Sequence, residues 1–286
     1  MRVKKIYDAA DGSATPGAIF TASLNEKVIT KEGERLDFMM LGVKGAVATA
    51  AVVIEDFADL INPLTLRYGG DNRLVLTLQE LIALSVFYYG KRVAIGENTD
   101  ATGNDFVSGV KIPVYQTVET GRDLTIQIDR SAVTNIATET VALTGYWDTG
   151  EENRKPIHCV RVAHTTSATA GIETYGSRIV PKGKMIGLII ATPSGFADGN
   201  IDTSVQRVKI LENGEEVGHL NDLADAVSLA DIDYVTPSIF ADLLRPYRAF
   251  DLRPNGFDSK AAEITLQFDV QDVSDAIVIL PVIEIE

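Results

Sequence analysis

The sequence predicts an all-β protein of two tandem eight-stranded jelly-roll barrels, with short helices inserted after the central hairpin of each barrel. The first observation is a repeat, because TIQID at residues 125–129 returns as TLQFD at residues 265–269, which is 265 − 125 = 140 positions later. Two further pairs keep the same order: residues 29–40 with 179–190, offset by 183 − 33 = 150, and residues 64–81 with 206–223, offset by 220 − 78 = 142. Ordered matches with a small drift indicate an internal duplication with insertions in the loops.

The chain length supports two domains, since each half of the 286 residues is long enough to bury a core of its own. The polar residues 148–156 (DTGEENRKP) separate the copies, which predicts an N-terminal jelly roll at residues 1–150 and a C-terminal jelly roll at residues 151–286. The net charge is −14, with 14 − 19 = −5 in the first half and 12 − 21 = −9 in the second. An acidic surface repels phosphate, so direct nucleic-acid binding is not expected.

Cysteine content and apolar segments limit where the chain folds. The single cysteine, Cys159, excludes an internal disulfide, so folding in a reducing cytoplasm is expected. The first residues lack an apolar run, so no signal peptide is expected, and no apolar segment reaches membrane-spanning length. The basic start MRVKKIY predicts a solvated N-terminal arm. The alternative is that its tip contacts an acidic neighbour or a lipid headgroup surface.

Strand signals run through both halves. Segments rich in β-branched and aliphatic residues, such as AIFTASL, RLDFMML, VKIPVYQTV and AIVILPVIEI, alternate with turn residues. Hairpins are predicted at residues 69–72 (GGDN) and 213–214 (NG), and exposed turns at residues 31–34 (KEGE) and 181–184 (PKGK). The strand count of each copy fits a jelly roll. An immunoglobulin-like sandwich is the alternative, but its Cys…Trp…Cys signature is absent.

One strong helix signal follows the first hairpin. Thr77 and Glu80 have the spacing of a capping box, apolar residues between positions 78 and 89 recur at helical spacing, and Gly90 is suited to end the helix. We therefore predict an amphipathic helix that covers a barrel end or flank and buries its leucines.

Two further helices are predicted in the second copy. Residues 220–227 repeat the apolar stripe of the first copy. Thr236 followed by Pro237 begins another short helix that stops at Pro246.

The sequence predicts no catalytic, cofactor-binding or metal site. His158, His164 and His219 lack the further ligands of a metal site and are interpreted as structural or solvated. Cys159 lies in the strand-like segment IHCVRVA and is interpreted as a buried, small apolar residue. Residues 97–105 (ENTDATGND) are interpreted as a solvated loop, with a hard-cation site as the alternative.

The two hairpin segments LTLRYGGDNRLVLTLQEL and VKILENGEEVGHLNDL, with the duplicated closing strands, resemble the double-jelly-roll major capsid proteins of tailless icosahedral viruses. The small membrane-containing bacteriophages are the closest in size. The resemblance covers most of the chain at the level of architecture. It implies a non-enzymatic structural protein of the virion, made in the host cytoplasm, whose homotrimers form pseudo-hexagonal capsomers. The implied partners are neighbouring capsomers, minor capsid or penton proteins and, for the N-terminal arm, an internal membrane.

Two other function classes stay open at this point. A non-enzymatic binding module, such as a tail, fibre or lectin-like protein, requires an aromatic ligand platform or a metal-supported site, for which Trp147 is the candidate. A double-barrel cupin-like enzyme requires a His-x-His pair and a downstream Glu. The PKGK segment matches part of the cupin signature, but the histidines are missing from the required positions.

Overall fold

The computed structural model describes residues 1–8, 19–23, 33–47, 60–90, 94–95, 105–130, 136–151, 153–166, 168–175, 183–191, 205–221, 226–229, 244, 247–254, 256–258, 264–270 and 276–285. These residues form two compact units, one up to Ile157 and the other from His158 onward. The prediction that the domains divide between residues 150 and 151 stays a prediction.

Strands dominate both units. In unit 1 they are β1 (Arg2–Asp8), β2 (Ile19–Ser23), β3 (Arg35–Val47), β4 (Ile61–Tyr68), β5 (Asp71–Leu76), β6 (Ala94–Ile95), β7 (Asp105–Thr117), β8 (Leu124–Arg130) and β9 (Ile136–Trp147), with helix α1 (Leu78–Tyr89). From the unit boundary onward they are β10 (Ile157–Val160), β11 (Val162–Thr165), β12 (Gly171–Tyr175), β13 (Gly183–Ala191), β14 (Val205–Glu212), β15 (Glu215–Asn221), β16 (Ala226–Ser228), β17 (Tyr247–Asp251), β18 (Phe257–Asp258), β19 (Ile264–Val270) and β20 (Ala276–Ile285).

The two units share one strand order. In unit 1, one sheet runs β1-β9-β3-β7-β6, and β5, β4, β8 and β2 lie side by side in a second layer. In unit 2, β16, β17, β13 and β20 lie side by side, β11 pairs with β20, and the second layer runs β12-β19-β14-β15. Each order interleaves early and late strands, as in a jelly roll. The all-β jelly-roll prediction is therefore confirmed.

The repeated segments occupy equivalent strands. Ile126 and Ile128 of β8 are buried, and so are Leu266 and Phe268 of β19, while the intervening polar residues are partly exposed. Both strands lie between the same two neighbours of their sheets, β4 and β2 in unit 1 and β14 and β12 in unit 2. The period of two puts one side of each strand into the core. The internal duplication predicted from the TIQID and TLQFD segments is therefore confirmed.

The register corrects two of the offsets that define the duplication. Leu66 pairs with Ile126, and Ile210 pairs with Leu266, so the equivalent hairpin positions are 210 − 66 = 144 residues apart rather than 142. The offset of 150 matches Phe38 with Leu188, yet Leu188 lies in the core of unit 2 and Phe38 points outward. A one-residue shift exchanges the two faces of a strand, and bulges in β3 and β13 cause it here.

Both predicted hairpins are present, but the first turn contains only Gly69 and Gly70, because Asp71 and Asn72 already belong to β5. Gly69 and Gly70 have φ of 59° and 92°, and Asn213 and Gly214 have φ of 53° and 86°. Positive φ at both central positions is the geometry of the two-residue turns that match strand twist. Glycine and asparagine tolerate it, which explains why the sequence signal was reliable.

Helix α1 begins and ends where the sequence predicts. The Thr77 side chain accepts a hydrogen bond from the Glu80 amide, the Glu80 side chain accepts one from the Thr77 amide, and Gly90 closes the helix in the left-handed conformation. The amphipathic description was wrong, however, because Gln79, Glu80 and Ser85 are buried along with the leucines. Packing surrounds the helix on all sides.

The predicted helix at residues 220–227 is wrong. Leu220 belongs to β15 and pairs with Val208, and Val227 belongs to β16 and pairs with Ala249. Leu220 continues the pairing of β15 with β14, whereas Val227 belongs to a different strand that pairs with β17. Residues 222–225 lie outside the described residues. The helix predicted from Thr236 to Pro246 lies outside the described residues apart from Leu244, which is helical and buried.

Two predicted surface segments are also corrected. The N-terminus is no solvated arm, because Arg2–Asp8 is strand β1, it pairs with β9, and its Ile6 is fully buried. In the KEGE segment Gly33 is exposed with φ of 83°, but Gly183 of PKGK is buried at the start of β13. A Cβ at Gly183 would collide with the carbonyl oxygen of Glu284, so glycine is required by a close approach and not by a turn.

The buried position of Leu81 gives the first prediction. This side chain is 0% exposed, so Leu81→Ala should lower the free energy of unfolding by about 2–5 kcal/mol through lost burial and a residual cavity. Urea unfolding followed by circular dichroism measures the change. The matched control is Val217→Ala on an exposed part of β15, where an effect within about 0.5 kcal/mol is expected. Equal effects for the two variants would contradict the buried role of Leu81.

Candidate assembly surface

The outward side of the β1-β9-β3-β7 sheet carries a partly exposed apolar row. Val3, Tyr146 and Phe38 stand opposite one another across β1, β9 and β3. The rings of Phe38 and Tyr146 stack with centroids 4.5 Å apart and an interplanar angle of 16°. Val3 is 52% exposed, and the two aromatic side chains are partly exposed. Large apolar side chains in contiguous rows at a surface are typical of interaction sites.

A second row beside it mixes lysines with apolar and small residues. Lys5, Thr144, Met40 and Lys111 stand opposite one another across the same four strands. The Lys111 Nζ lies 4.1 Å from the ring centroid of Phe38, within cation–π range. We call these two rows, together with the exposed Lys44 further along β3, the open face. None of its described side chains is itself a carboxylate, but the Lys111 Nζ also lies 4.0 Å from Oε1 of Glu151.

A polar network borders the open face where β3 bulges at Asp37. The register of β3 shifts between Leu36 and Phe38 against both neighbouring strands, as a β-bulge requires. Asp37 is 0% exposed. Its Oδ1 accepts a bond from Arg35 Nε at 2.5 Å, and its Oδ2 accepts bonds from the amide and the hydroxyl of Thr149 at 2.5 and 2.7 Å. These donors stabilise a charge that burial alone would make costly.

The same network fixes the residues that follow β9. Tyr115 lies in the bulged part of β7 with φ of 52°, and its hydroxyl donates to Glu151 Oε2 at 2.7 Å. The Tyr89 hydroxyl is 3.3 Å from that of Tyr115. Arg35 Nη2 donates to the carbonyl of Glu151 at 2.6 Å. The polar segment predicted as a connection between domains is therefore held at its start by hydrogen bonds to β3 and β7.

The two tyrosines of this network are poor acids. Burial raises the pKa of Tyr115, and its hydrogen bonds to Tyr89 and Glu151 raise it further. Burial also raises the pKa of Tyr89, although its hydrogen bond with Tyr115 opposes the shift. Both phenols are therefore protonated at neutral pH. They serve as hydrogen-bond donors and not as bases.

The residues weighed at the sequence level for chemistry lie apart from this network. His164 Nε2 contacts Glu173 Oε2 at 2.8 Å, His219 Nδ1 contacts Glu216 Oε1 at 3.2 Å, and His158 is partly buried in β10. The buried role predicted for Cys159 is confirmed, since it is 0% exposed. Trp147 is also 0% exposed, so its indole is no ligand platform.

Metal and membrane sites were searched over the described ranges. Those ranges hold no group of three or more His, Cys, Asp and Glu side chains arranged to bind a metal ion. None of their helices has both the length and the apolar character needed to cross a membrane. The loop at residues 97–105 lies outside the described residues except for Asp105.

The hydrogen bonds of the buried Asp37 with Arg35 and Thr149 were not predicted from the sequence. One signal was available, since Asp37 interrupts the apolar strand RLDFMML and the buried Leu36, Met39 and Leu41 are then spaced by three and two positions. That change of spacing marks the bulge. The partners Tyr115 and Thr149 are distant in sequence, and nothing local connects them with Asp37.

Three solved structures show where this fold has been seen before. The major capsid protein of STIV has a TM-score of 0.66 and 11% identity, and the match covers 99% of this chain and 94% of that one. The major capsid protein P2 of bacteriophage PM2 has a TM-score of 0.59 and 10% identity, with 100% and 97% covered. The PBCV-1 virus capsid protein has a TM-score of 0.56 and 12% identity, with 98% and 92% covered. The chain has the double-jelly-roll fold of these major capsid proteins.

At such low identity the double-jelly-roll likeness lies in the path of the backbone and not in the side chains. No family model matches the sequence, and no curated protein matches it. The side chains of the open face and of the Asp37 network therefore have to be understood from this molecule itself.

Asp37 gives the second prediction. Asp37→Ala should lower the free energy of unfolding by about 3–5 kcal/mol, because it leaves the Arg35 guanidinium and the Thr149 donors without their buried acceptor. Chemical denaturation measures the loss. The matched control is Asp251→Ala, which removes an exposed carboxylate that is also two residues from its arginine, Arg253. There we expect about 0–1 kcal/mol, and a similar loss in both variants would contradict the structural role of Asp37.

The tyrosines give the third prediction. Because the pKa of Tyr115 and that of Tyr89 are raised in the folded state, the folded chain keeps protons that the unfolded chain releases near pH ~10. The stabilisation is complete below that pH and is lost as pH rises above it. Urea midpoints at pH values from about 7 to about 11 should fall more steeply for the wild type than for Tyr89→Phe/Tyr115→Phe. Parallel curves would contradict this coupling.

Proposed function

We propose that this protein is a structural protein of a virion, the major capsid protein of an icosahedral virus, synthesised in the host cytoplasm. The observation that carries the proposal is the extent of the structural likeness. The match to the PM2 capsid protein covers 100% of this chain and 97% of that protein, so the agreement involves both units and their order along the chain. A shared single domain would leave much of one chain unmatched.

The proposed assembly unit is a homotrimer with a pseudo-hexagonal outline. Each chain carries two units with the same strand order, so three chains present six similar units around a threefold axis. Such an arrangement uses heterologous contacts that close into a ring. Trimers then contact neighbouring trimers and minor capsid or penton proteins. Because Arg2–Asp8 is a strand of a sheet, a membrane contact by a free N-terminal arm is not part of this proposal.

A structural role without catalysis also agrees with how polar side chains are used in unit 1. Asp37 accepts a hydrogen bond from Thr149, and Tyr115 donates one to Glu151. These bonds stabilise the bulge and the residues after β9. The binding-module alternative loses its candidate platform, since Trp147 is 0% exposed. The PKGK segment, which matches part of the cupin signature, gives the cupin alternative no support, because its Gly183 is buried as the first residue of β13.

Charge determines how such trimers respond to salt, which gives the fourth prediction. With −14 per chain, contacts between trimers are opposed by long-range repulsion, while the interface within a trimer must be larger and more apolar to outweigh that repulsion. Raising ionic strength from about 0.01 M to about 1 M shortens the Debye length from ~30 Å to ~3 Å. Sedimentation velocity should show trimers throughout and larger assemblies at the high end. A monomer at every concentration and ionic strength would overturn the proposed function.

A further inference from the structure

The segment that follows β9 has the composition of an open linker but not its contacts. Residues 148–156 read DTGEENRKP, which is typical of a flexible connection between domains. Asp148 and Gly150 have φ of 47° and 94°, and positive φ at two such close positions changes the direction of the chain. The Asp148 amide donates to the carbonyl of Arg35 at 3.0 Å, and its Oδ1 accepts from the Arg35 amide at 3.1 Å. The chain therefore leaves β9 bonded to the start of β3.

Glu151 is the main anchor of this segment. Its Oε2 accepts from the Tyr115 hydroxyl at 2.7 Å, and its Oε1 lies 4.0 Å from the Lys111 Nζ. Its carbonyl accepts from Arg35 Nη2 at 2.6 Å and from the amide of Arg154 at 3.3 Å. Hydrogen bonds with an ionised partner are stronger than neutral ones. One residue thus joins β3, β7 and the rest of its own segment through three oxygen atoms.

Lys111 connects this anchor with helix α1. Its Nζ lies 4.1 Å from the ring centroid of Phe38 and 4.2 Å from that of Tyr89. Aromatic rings around an ammonium group stabilise it most where water is excluded, and the Lys111 side chain is only 19% exposed. With the Glu151 carboxylate nearby, the ammonium group lies between β3, the last residue of α1 and the segment after β9.

Arg154 makes a second contact with the end of α1. Its guanidinium carbon lies 5.5 Å from the ring centroid of Tyr88, within cation–π range. Tyr88 and Tyr89 are the last two residues of α1, so the segment reaches the C-terminal end of the helix twice. The Arg154 side chain is exposed, yet its amide is bonded to Glu151.

We propose that residues 148–154 are a strap, which locks the C-terminal end of α1 onto β3 and β7 and protects the backbone at Arg154 until Glu151 detaches. The lock depends on Glu151, because loss of its carboxylate removes the contacts of Tyr115 and Lys111 together. A segment held in this way opens as one unit and not residue by residue. All the contacts of the strap lie within unit 1, so the inference does not depend on the proposed function.

Trypsin measures whether the strap is open. The bond after Arg154 is cleavable, whereas the next basic residue, Lys155, precedes Pro156 and is not a trypsin site. A protease cuts a backbone that has opened locally, and the rate follows the population of the open form when closing is fast. Cleavage after Arg154 releases fragments of 154 and 286 − 154 = 132 residues, which mass spectrometry identifies. A single early cut at this position therefore reports the strap.

The test compares Glu151→Ala with Glu119→Ala. Glu151→Ala should raise the rate of the cut after Arg154 by about tenfold or more, because hydrogen bonds to a charged group are lost. The Glu119 side chain is 63% exposed and pairs with the exposed Arg122, so its removal should change the rate by less than about twofold. Equal cleavage rates for the two variants would overturn the inference.

Two further measurements apply if Glu151→Ala fails to fold. Lys111→Met keeps the apolar length of the side chain and removes its charge, so it should also speed the cut, whereas Lys44→Met, at an exposed lysine of β3, should not. In the wild type, the amides of Asp148, Thr149 and Arg154 donate to protein acceptors, so they should exchange hydrogen at least about tenfold more slowly than in an unstructured peptide. Exchange at unprotected rates, or equal cleavage of the two lysine variants, would contradict the strap.

Discussion

Face-to-face packing of two sheets is the constraint on which the rest of each unit depends. Every second side chain of a strand must be apolar to enter the space between the sheets, and the alternate side chains must tolerate the other environment. Strand β8 meets this with Ile126 and Ile128, and strand β19 meets it with Leu266 and Phe268. Each buried side chain of this size contributes about 1.5–3 kcal/mol. A slip of one residue would exchange the two faces and lose that contribution along the whole strand.

The bulge at Asp37 shows how a departure from this alternation is stabilised. The extra residue turns a carboxylate away from solvent, and the cost of burying it is offset by Arg35 and Thr149. On the facing strand Tyr115 takes a left-handed backbone conformation and directs its hydroxyl to Glu151. The bulge therefore determines where the chain goes after β9. It also separates the inward Leu36 from the outward Phe38, and so sets which side chains reach the open face.

Duplication gave the two units one strand order, and later divergence gave them different surfaces. The hairpin of unit 1 leads into a fully buried helix, whereas the hairpin of unit 2 continues into strand pairing through Leu220. The outward side of one sheet is buried around Ile189, and the outward side of its equivalent carries the open face. The two units therefore combine one strand order with different exposed residues.

The sequence by itself determined the features that depend on neighbouring residues. The positive φ at Asn213 and Gly214, the capping box of Thr77 and Glu80, and the alternation in β8 each follow from bonds or steric limits within a few residues. The strand alternation and the hairpin turns, each present in both copies, were sufficient for the jelly-roll prediction. They were not sufficient to say which segments pair.

Only the tertiary structure decided the features that depend on distant partners. The basic N-terminus became a strand because β9 offers it a ladder and a pocket for Ile6, and Gly183 became a packing residue because the backbone at Glu284 lies against it. Asp37 became a buried anchor because Thr149 lies across the bulge. In each case the deciding free energy comes from burial and hydrogen bonding between segments far apart in the chain. Such terms have no signature in the order of neighbouring residues, since the partner's position exists only after folding.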